Sequence, residues 1–208
     1  MSDVKYGMLI DLSRCIGCNA CTIACKQENG IDLGVFNTWV ESWDTDENGT
    51  ICRANLPKIC NHCENPTCVS VCPTGASYVA EDGSVQVDES KCIGCKFCMA
   101  ACPYGVRHMA GDSGVVQKCT FCHHRVENGL LPACVDTCIT TARVFGDTND
   151  PDSDISKLLA SCGGGKALMD DMGMNPRVRY IGLDKTLSLQ RVSAIHKGGN
   201  VKTPYEGR

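Results

Sequence analysis

Large aromatic side chains are scarce in this chain: four Phe, two Trp and five Tyr make up 5% of its 208 residues. That supply is thin for an ordinary apolar core, so something other than side-chain packing must help to hold the fold. Long apolar runs are missing too. No stretch approaches the roughly 18 to 20 uninterrupted apolar residues of a bilayer-spanning helix, and Met1 to Cys15 lacks the basic segment and apolar run of an export signal. The expectation is a chain with no membrane span and no signal of its own, located in the cytoplasm or carried to a membrane or across it by partners. Basic excess is absent as well. The formal net charge is −4 and the isoelectric point about 5.7, which excludes a chain whose main task is neutralising nucleic-acid phosphates. No Gly-rich phosphate loop follows a strand, and neither a Ser/His/Asp set nor a flavin fingerprint stands out, so nothing points to a catalytic residue.

Cysteine is what the chain has in excess, 18 in 208 residues, roughly the 9% at which cysteine chemistry dictates architecture. Structural disulfides belong mainly to exported chains, so these cysteines read as reduced metal ligands. They fall into quartets: Cys15, Cys18, Cys21, Cys25; Cys60, Cys63, Cys68, Cys72; Cys92, Cys95, Cys98, Cys102; and Cys119, Cys122, Cys134, Cys138. The first and third have the spacing C-x-x-C-x-x-C-x-x-x-C, and Pro103 completes the bacterial ferredoxin run for a [4Fe-4S] cluster. The second lengthens one gap to four residues and the fourth lengthens it to eleven. A tight loop with thiolates at every third residue caps only three corners of a cubane, and in two-cluster ferredoxins the fourth cysteine ligates the neighbouring cluster.

Internal similarity supports duplication. Ile10 to Cys18 repeats as Val87 to Cys95, and Pro66 to Cys72 repeats as Pro132 to Cys138. Zinc is the competing metal, but its knuckles use pairs of C-x-x-C and leave the third cysteine of each run unexplained. Four [4Fe-4S] clusters account for all the grouped cysteines. Cys52 and Cys162 remain, and both read as free, at least half-buried thiols. With every quartet full, His62, His123 and His124 read as groups beside the clusters or plain loop surface, not as ligands.

Lys5 to Leu12 and Ser84 to Asp88 read as short strands leading into cluster loops. Val35 to Trp43 and Thr50 to Lys58 read as a hairpin around Asp44 to Gly49, with Asn48-Gly49 as its turn, and Asp82-Gly83 turns a second hairpin from Ala76 to Ala80 into Ser84 to Asp88. Short helices are expected after the fourth cysteines. Further on, Ser153 caps a helix from about Asp154 to Ala160, and Arg177 to Gly182 is a strand. The polar tail from Lys185 to Arg208 reads either as an arm on a partner subunit or as a frayed terminus.

The fold class is therefore α+β: duplicated ferredoxin-like two-cluster modules with short strands and helices, an inserted β-hairpin lobe and an extended C-terminal arm. Residues 1–150 form the four-cluster core, with the lobe at about 30–58, and 151–208 supply a helix, a strand and the arm that docks on a partner. Each oxidised cluster with its thiolates carries roughly −2, so about −8 must be offset by backbone N–H groups of the Gly17 and Gly94 loops and by cations. Arg14, Lys26, Lys91, Lys96, Arg107, Lys118 and Arg125 stand next to ligands in sequence.

These residues resemble one family, the four-cluster iron-sulfur subunits of dimethyl sulfoxide reductase-type molybdopterin oxidoreductases. The likeness runs from Gly7 to about Ile181, through Met8 to Cys18, Cys60-Asn-His-Cys63, Cys72-Pro-Thr-Gly-Ala76, Cys92-Ile-Gly-Cys95, Cys102-Pro-Tyr-Gly105, Lys118-Cys-Thr-Phe-Cys122, Pro132-Ala-Cys134 and Pro176-Arg-Val-Arg-Tyr180. It implies that quartet one pairs with four and two with three. Cys15, Cys18, Cys21 and Cys138 would hold cluster 1; Cys119, Cys122, Cys134 and Cys25 cluster 2; Cys60, Cys63, Cys68 and Cys102 cluster 3; Cys92, Cys95, Cys98 and Cys72 cluster 4. Lys26 and Ile139 stand where ferredoxin runs carry Pro. The family's partners are a catalytic chain with a molybdenum or tungsten pterin and, in many complexes, a membrane-embedded quinone-reactive chain. The resemblance implies a non-catalytic electron-transfer subunit working between a quinone-linked or other redox donor and the pterin chain. A subunit of a formate dehydrogenase or hydrogenase complex and a free polyferredoxin are the other readings.

Overall fold

The computed structural model describes residues 4–47, 50–111 and 113–196. Strand β1 (Tyr6–Asp11) delivers the chain into the first cysteine loop, and helix α1 (Ala20–Glu28) leaves it. Strands β2 (Thr38–Glu47) and β3 (Thr50–Ile59) form a ribbon, followed by α2 (Thr67–Ser70), β4 (Ser77–Val79), β5 (Val85–Val87) and α3 (Phe97–Ala100). Next come β6 (His108–Met109), β7 (Val116–Gln117), α4 (His123–Val126), α5 (Ala133–Asp136) and β8 (Arg143–Asp147). The chain continues through α6 (Asp154–Ser161), a 3₁₀ turn (Asp170–Met172), β9 (Val178–Ile181) and α7 (Leu183–His196).

β1 is the middle strand of a three-stranded sheet, antiparallel to β8 and parallel to β9. Its weak alternation in sequence has a simple cause: a strand covered on both faces reads as a continuous apolar run, and Met8, Leu9 and Ile10 are all fully buried. Gly7 and Gly146 face each other across the β1–β8 ladder. A Cβ on Gly7 would meet Thr148 Cγ2 at 2.7 Å, and one on Gly146 would meet Ile155 Cγ2 at 3.2 Å. The glycine pair thus leaves the hollow into which α6 lowers Ile155, whose burial contributes about 1.5–3 kcal/mol. Ser153 starts that helix by accepting from the Ser156 N–H at 3.2 Å, as its position in the sequence implies.

Hydrophobic side chains and cysteines share one core. Met8, Ile10, Leu56, Ile59, Val106, Phe121, Val178 and Tyr180 cluster with Cys21, Cys60, Cys63, Cys119 and Cys134. Tyr180 is fully buried and donates its hydroxyl to the Pro57 carbonyl at 3.0 Å, tying β9 to β3.

Some expectations need correction. The β2–β3 ladder pairs from Thr38↔Ile59 to Glu47↔Thr50, so Asp44 to Glu47 are strand and not turn. Backbone pairing at the exposed tip tolerates polar side chains, and Arg53 grips Asp44 through Nε at 2.7 Å and Nη2 at 2.9 Å. The Asn48-Gly49 turn lies outside the described residues. Short helices carry the third cysteine of the first three quartets and of the last, rather than following the fourth; α1 carries both Cys21 and Cys25. The third and fourth cysteines are four residues apart, one helical turn, so the turn begins at the third. Instead of an extended segment from Lys185, helix α7 packs on β2 and β3, with Leu183, Thr186 and Leu189 buried. Residues 197–208 lie outside the described set. Among the described residues no helix is long and apolar enough to cross a membrane.

Candidate metal centres

Every quartet bends its backbone in the same way just before its second cysteine. Gly17 (φ +71°), His62 (φ +42°), Gly94 (φ +65°) and Phe121 (φ +57°) are all left-handed there. Glycine adopts this conformation freely, whereas His62 and Phe121 each bear a strain on the order of 1–2 kcal/mol. Those two rings stack on each other, centroids 3.6 Å apart and planes within 14°, so the strained pair closes the junction between two cysteine loops.

Cavities lie inside the loops. One is lined by Cys15, Cys18, Cys21 and Cys138. A second has Cys25, Cys119, Cys122 and Cys134. The third has Cys60, Cys63, Cys68 and Cys102, and the fourth has Cys72, Cys92, Cys95 and Cys98. Each takes three cysteines from one quartet and the fourth from another. Cys52 sits on β3 opposite Thr45, and Cys162 ends α6 with its thiol toward the Leu159 carbonyl; neither lines these cavities.

Thiol electrostatics follow depth. Burial, reinforced by Cys134 and Cys122, pushes Cys25 up to about 12, and burial with Cys60 and Cys68 does the same to Cys63. Cys119 and Cys134 are also raised by burial. Cys72 and Cys138 run the other way. Burial is the largest single effect and acts upward on each, but hydrogen bonds together outweigh it, Ser77 N–H with the Thr74 hydroxyl for Cys72 and the Arg143 and Ala142 N–H groups with the Thr140 hydroxyl for Cys138, and hold the thiols below the usual value. Donors converge on sulfur elsewhere: Phe121 N–H to Cys119 Sγ at 3.3 Å, Val116 N–H to Cys92 Sγ at 3.5 Å, and Asn29 Nδ2 to Cys25 Sγ at 3.5 Å.

Of the cations flanking ligands in sequence, Arg107 and Lys118 are buried. Arg107 donates to Cys68 Sγ at 2.8 Å, and Lys118 donates to the Cys119 carbonyl at 2.6 Å and to the Val85 carbonyl. Lys91 pairs with Asp88, Arg125 with Glu28 and Asp136, Lys26 with the Asp32 and Val35 carbonyls, and Arg14 with Thr141, while Lys96 is exposed. Sequence reasoning missed Arg143, which donates to Cys21 Sγ at 3.4 Å, and Asn29; Arg143 follows Cys138 by the same five residues that separate Arg107 from Cys102. His62 is fully buried, its Nδ1 accepting from the Val85 N–H at 3.0 Å, and burial first, then Lys118 and Arg107, holds its ring well below the usual histidine value. His123 and His124 face Asp82, Glu127 and Glu28 at the surface.

The cavities fit a thiolate-held cluster. In each, the third cysteine of a run lines the space together with the first two, a use that paired zinc knuckles do not make of it. Among the described residues no group of three or more His, Cys, Asp or Glu has the arrangement of a single-ion site. Among the described residues, polar atoms buried at the cavities lack partners: the Asn61 side-chain amide, which lines the third, and Nη1 of Arg107 and of Arg143. Orphaned donors of that kind are costly unless something occupies the space they face.

Fold and cavities together define an iron-sulfur electron-transfer protein. A 4Fe-4S dicluster domain matches residues 53–148 and a 4Fe-4S binding domain matches residues 6–27. The chain is 46% identical to a tetrathionate reductase subunit of Salmonella typhimurium over 86% of its own length and 73% of that subunit's. It is 43% identical to a putative dimethyl sulfoxide reductase iron-sulfur subunit of Halobacterium salinarum (85% and 79%) and 40% identical to a sulfite dehydrogenase subunit of Allochromatium vinosum (88% and 85%). The chain belongs to the family of iron-sulfur electron-transfer subunits of dimethyl sulfoxide reductase-type molybdopterin oxidoreductases. Within such a complex it is a non-catalytic subunit that carries multiple [4Fe-4S] clusters.

Proposed function

We propose that the chain conducts electrons along four [4Fe-4S] clusters in the order 1–2–3–4, each held by the four cysteines of one cavity: Cys15, Cys18, Cys21, Cys138; Cys25, Cys119, Cys122, Cys134; Cys60, Cys63, Cys68, Cys102; and Cys72, Cys92, Cys95, Cys98. The observation that carries this reading is the sorting of the cysteines, three from one quartet and one from its partner, around each of four cavities. When bound, such a cluster takes up and releases one electron at a time. The protein's own residues supply the order. Cys25 and Cys138 tie cavities 1 and 2 together, Cys72 and Cys102 tie 3 and 4, and the His62–Phe121 stack joins the loops of 2 and 3. This makes two ferredoxin-like modules with the β2–β3 ribbon as an inserted lobe.

Cavities 1 and 4 reach the surface through the exposed Cys18 and Cys95, as terminals that exchange electrons with other chains require. A molybdenum or tungsten pterin subunit is the partner at one terminal, and a quinone-linked membrane chain or another redox donor is the partner at the other. Substrate chemistry belongs to the pterin chain; the relatives' names span reductases and a dehydrogenase, so one conductor serves either direction. Anaerobic affinity purification with metal analysis tests the proposal. Expected are about sixteen irons per chain and a large co-purifying chain with molybdenum or tungsten. Zinc in place of iron overturns the cofactor reading, and a lone chain with full iron overturns the complex.

A further inference from the structure

Two buried arginines occupy matching places that no ligand spacing requires. Arg107 lies five residues after Cys102 and Arg143 five residues after Cys138, and in each segment the residue at the third step, Gly105 (φ +63°) or Thr141 (φ +50°), is left-handed and turns the chain back toward the cysteines. Their hydrogen bonds match as well. Arg107 Nη2 donates to Cys68 Sγ at 2.8 Å and Ser77 Oγ at 2.9 Å; Arg143 Nη2 donates to Cys21 Sγ at 3.4 Å and Thr38 Oγ1 at 3.0 Å. They are 6% and 3% exposed, and in both the other terminal nitrogen, Nη1, is buried without a partner among the described residues.

Each guanidinium also stands between two cavities. Arg107 lines both the third and the fourth. Arg143 lines the first and lies beside Cys134, which lines the second. From this twinned geometry we propose that Arg107 and Arg143 are potential-setting residues: one permanent positive charge per module, shared by its two clusters, with Nη1 hydrogen-bonded to the cluster in the cavity it faces. The inference rests on clusters occupying these cavities.

Its chemistry is a balance of charge. Reduction adds one electron, delivered by the complex's redox donor and passed on to its catalytic chain, and makes the cluster unit one charge more negative; no proton moves, since arginine stays charged. A fixed cation in a low-dielectric site stabilises the reduced state more than the oxidised one and raises the potential. Lysine would supply the charge but not the planar fork that reaches a thiolate sulfur and a hydroxyl while leaving Nη1 free.

The test uses the purified complex carrying Arg107→Gln or Arg143→Gln, with iron analysis and potentiometric EPR. Iron content reports on the cofactor reading separately: wild type without about sixteen irons overturns that reading and leaves the arginines nothing to tune. With iron retained, R107Q is expected to lower the midpoints of clusters 3 and 4 and leave 1 and 2 unchanged, and R143Q the reverse. The expected size is about a tenfold loss in the reduced-to-oxidised ratio at fixed potential, about 59 mV for one electron. Unchanged midpoints, or the same drift in all clusters for both variants, overturn the proposal. If glutamine costs iron, wild-type protein labelled with ¹⁵N in arginine alone replaces it: pulsed EPR of the reduced clusters should show ¹⁵N couplings, and their absence overturns the proposal equally.

Discussion

The outer loops of this conductor, around cavities 1 and 4, and the inner loops, around 2 and 3, solve one backbone problem in two ways. Outer loops place Gly17 and Gly94 at the left-handed position, leave Cys18 and Cys95 exposed, and carry Ile16 and Ile93 at 58% and 67% exposure. Inner loops place His62 and Phe121 there, at 0% and 2% exposure, and bury Cys63 and Cys122. The inner pair carries strain that the outer pair avoids, and the difference lies in what the side chain does. An aromatic ring fills the junction between two cysteine loops, whereas a loop proposed as a terminal must stay thin so that a partner can approach. Exposed isoleucines beside exposed thiols suit that approach, since apolar anchors dominate the centres of interfaces.

Removing one cysteine from each kind of loop should separate them most sharply. Cys63→Ser and Cys122→Ser should cost more than the cluster concerned, because the inner cysteines belong to the shared core; iron should fall well below the about twelve atoms that loss of one cluster leaves, and soluble protein should drop. Cys18→Ser and Cys95→Ser should lose no more than about four irons and keep the fold. Equal losses from all four variants, read by iron analysis and circular dichroism, would show that depth does not separate the loops.

Next in size is the aromatic junction itself. Phe121→Ala removes a buried ring with partners in His62 and Phe145, and should destabilise by about 3–5 kcal/mol. The corresponding truncation at a terminal, Ile93→Ala, should stay within about 0.5 kcal/mol when the complex is absent. Anaerobic thermal release of iron ranks the two variants, and comparable release rates would contradict the assignment of Phe121 to the core.

Much of this is open to sequence reasoning, for a physical reason: cluster ligation demands fixed spacing, and spacing is local. The quartets, the Asp82-Gly83 turn before β5 and the Ser153 cap are all short-range signals. What stays hidden depends on partners distant in sequence. Helix α7 reads as a polar tail because Leu183, Thr186 and Leu189 find their cover on the β2–β3 ribbon, more than a hundred residues away. Arg143 has no cysteine neighbour closer than Cys138, and only superposing the ends of quartets three and four exposes its kinship with Arg107. His62 sits beside a ligand, yet its stacking on Phe121 follows from the fold alone. The short helices fall one turn earlier than expected because a four-residue spacing marks a turn without saying which cysteine opens it.

Glycine separates the outer loops from others that are merely left-handed. A Cβ on Gly94 would collide with the Gly114 carbonyl, which belongs to the β6–β7 hairpin, whereas nothing lies within 4 Å of one on Gly105. Both positions carry the left-handed penalty of about 1–2 kcal/mol, so Gly94→Ala should exceed Gly105→Ala in its loss of iron from cluster 4. If the two lose iron equally, close approach of the hairpin is not what the glycine serves.

The smallest effect expected concerns how the first loop is braced. A Cβ on Gly17 would meet Asn55 Oδ1 at 2.5 Å, and Asn55 donates through Nδ2 to the Cys15 carbonyl at 2.9 Å while its Oδ1 accepts from Ser42 at 2.7 Å. Strand β3 therefore holds the first cluster loop with one amide, whereas the Gly114 carbonyl of the β6–β7 hairpin only lies close against the Gly94 loop. Asn55→Ala leaves the Cys15 carbonyl and the Ser42 hydroxyl without that partner, at a cost of about 1–2 kcal/mol, and the loop's edge position lets water take over part of the loss. Cluster 1 alone should become easier to oxidise and lose, with the EPR signals of clusters 2, 3 and 4 intact after exposure to air. Should cluster 4 be lost alongside it, the two terminals would be coupled through the core, and the separate bracing of each outer loop would have to be given up.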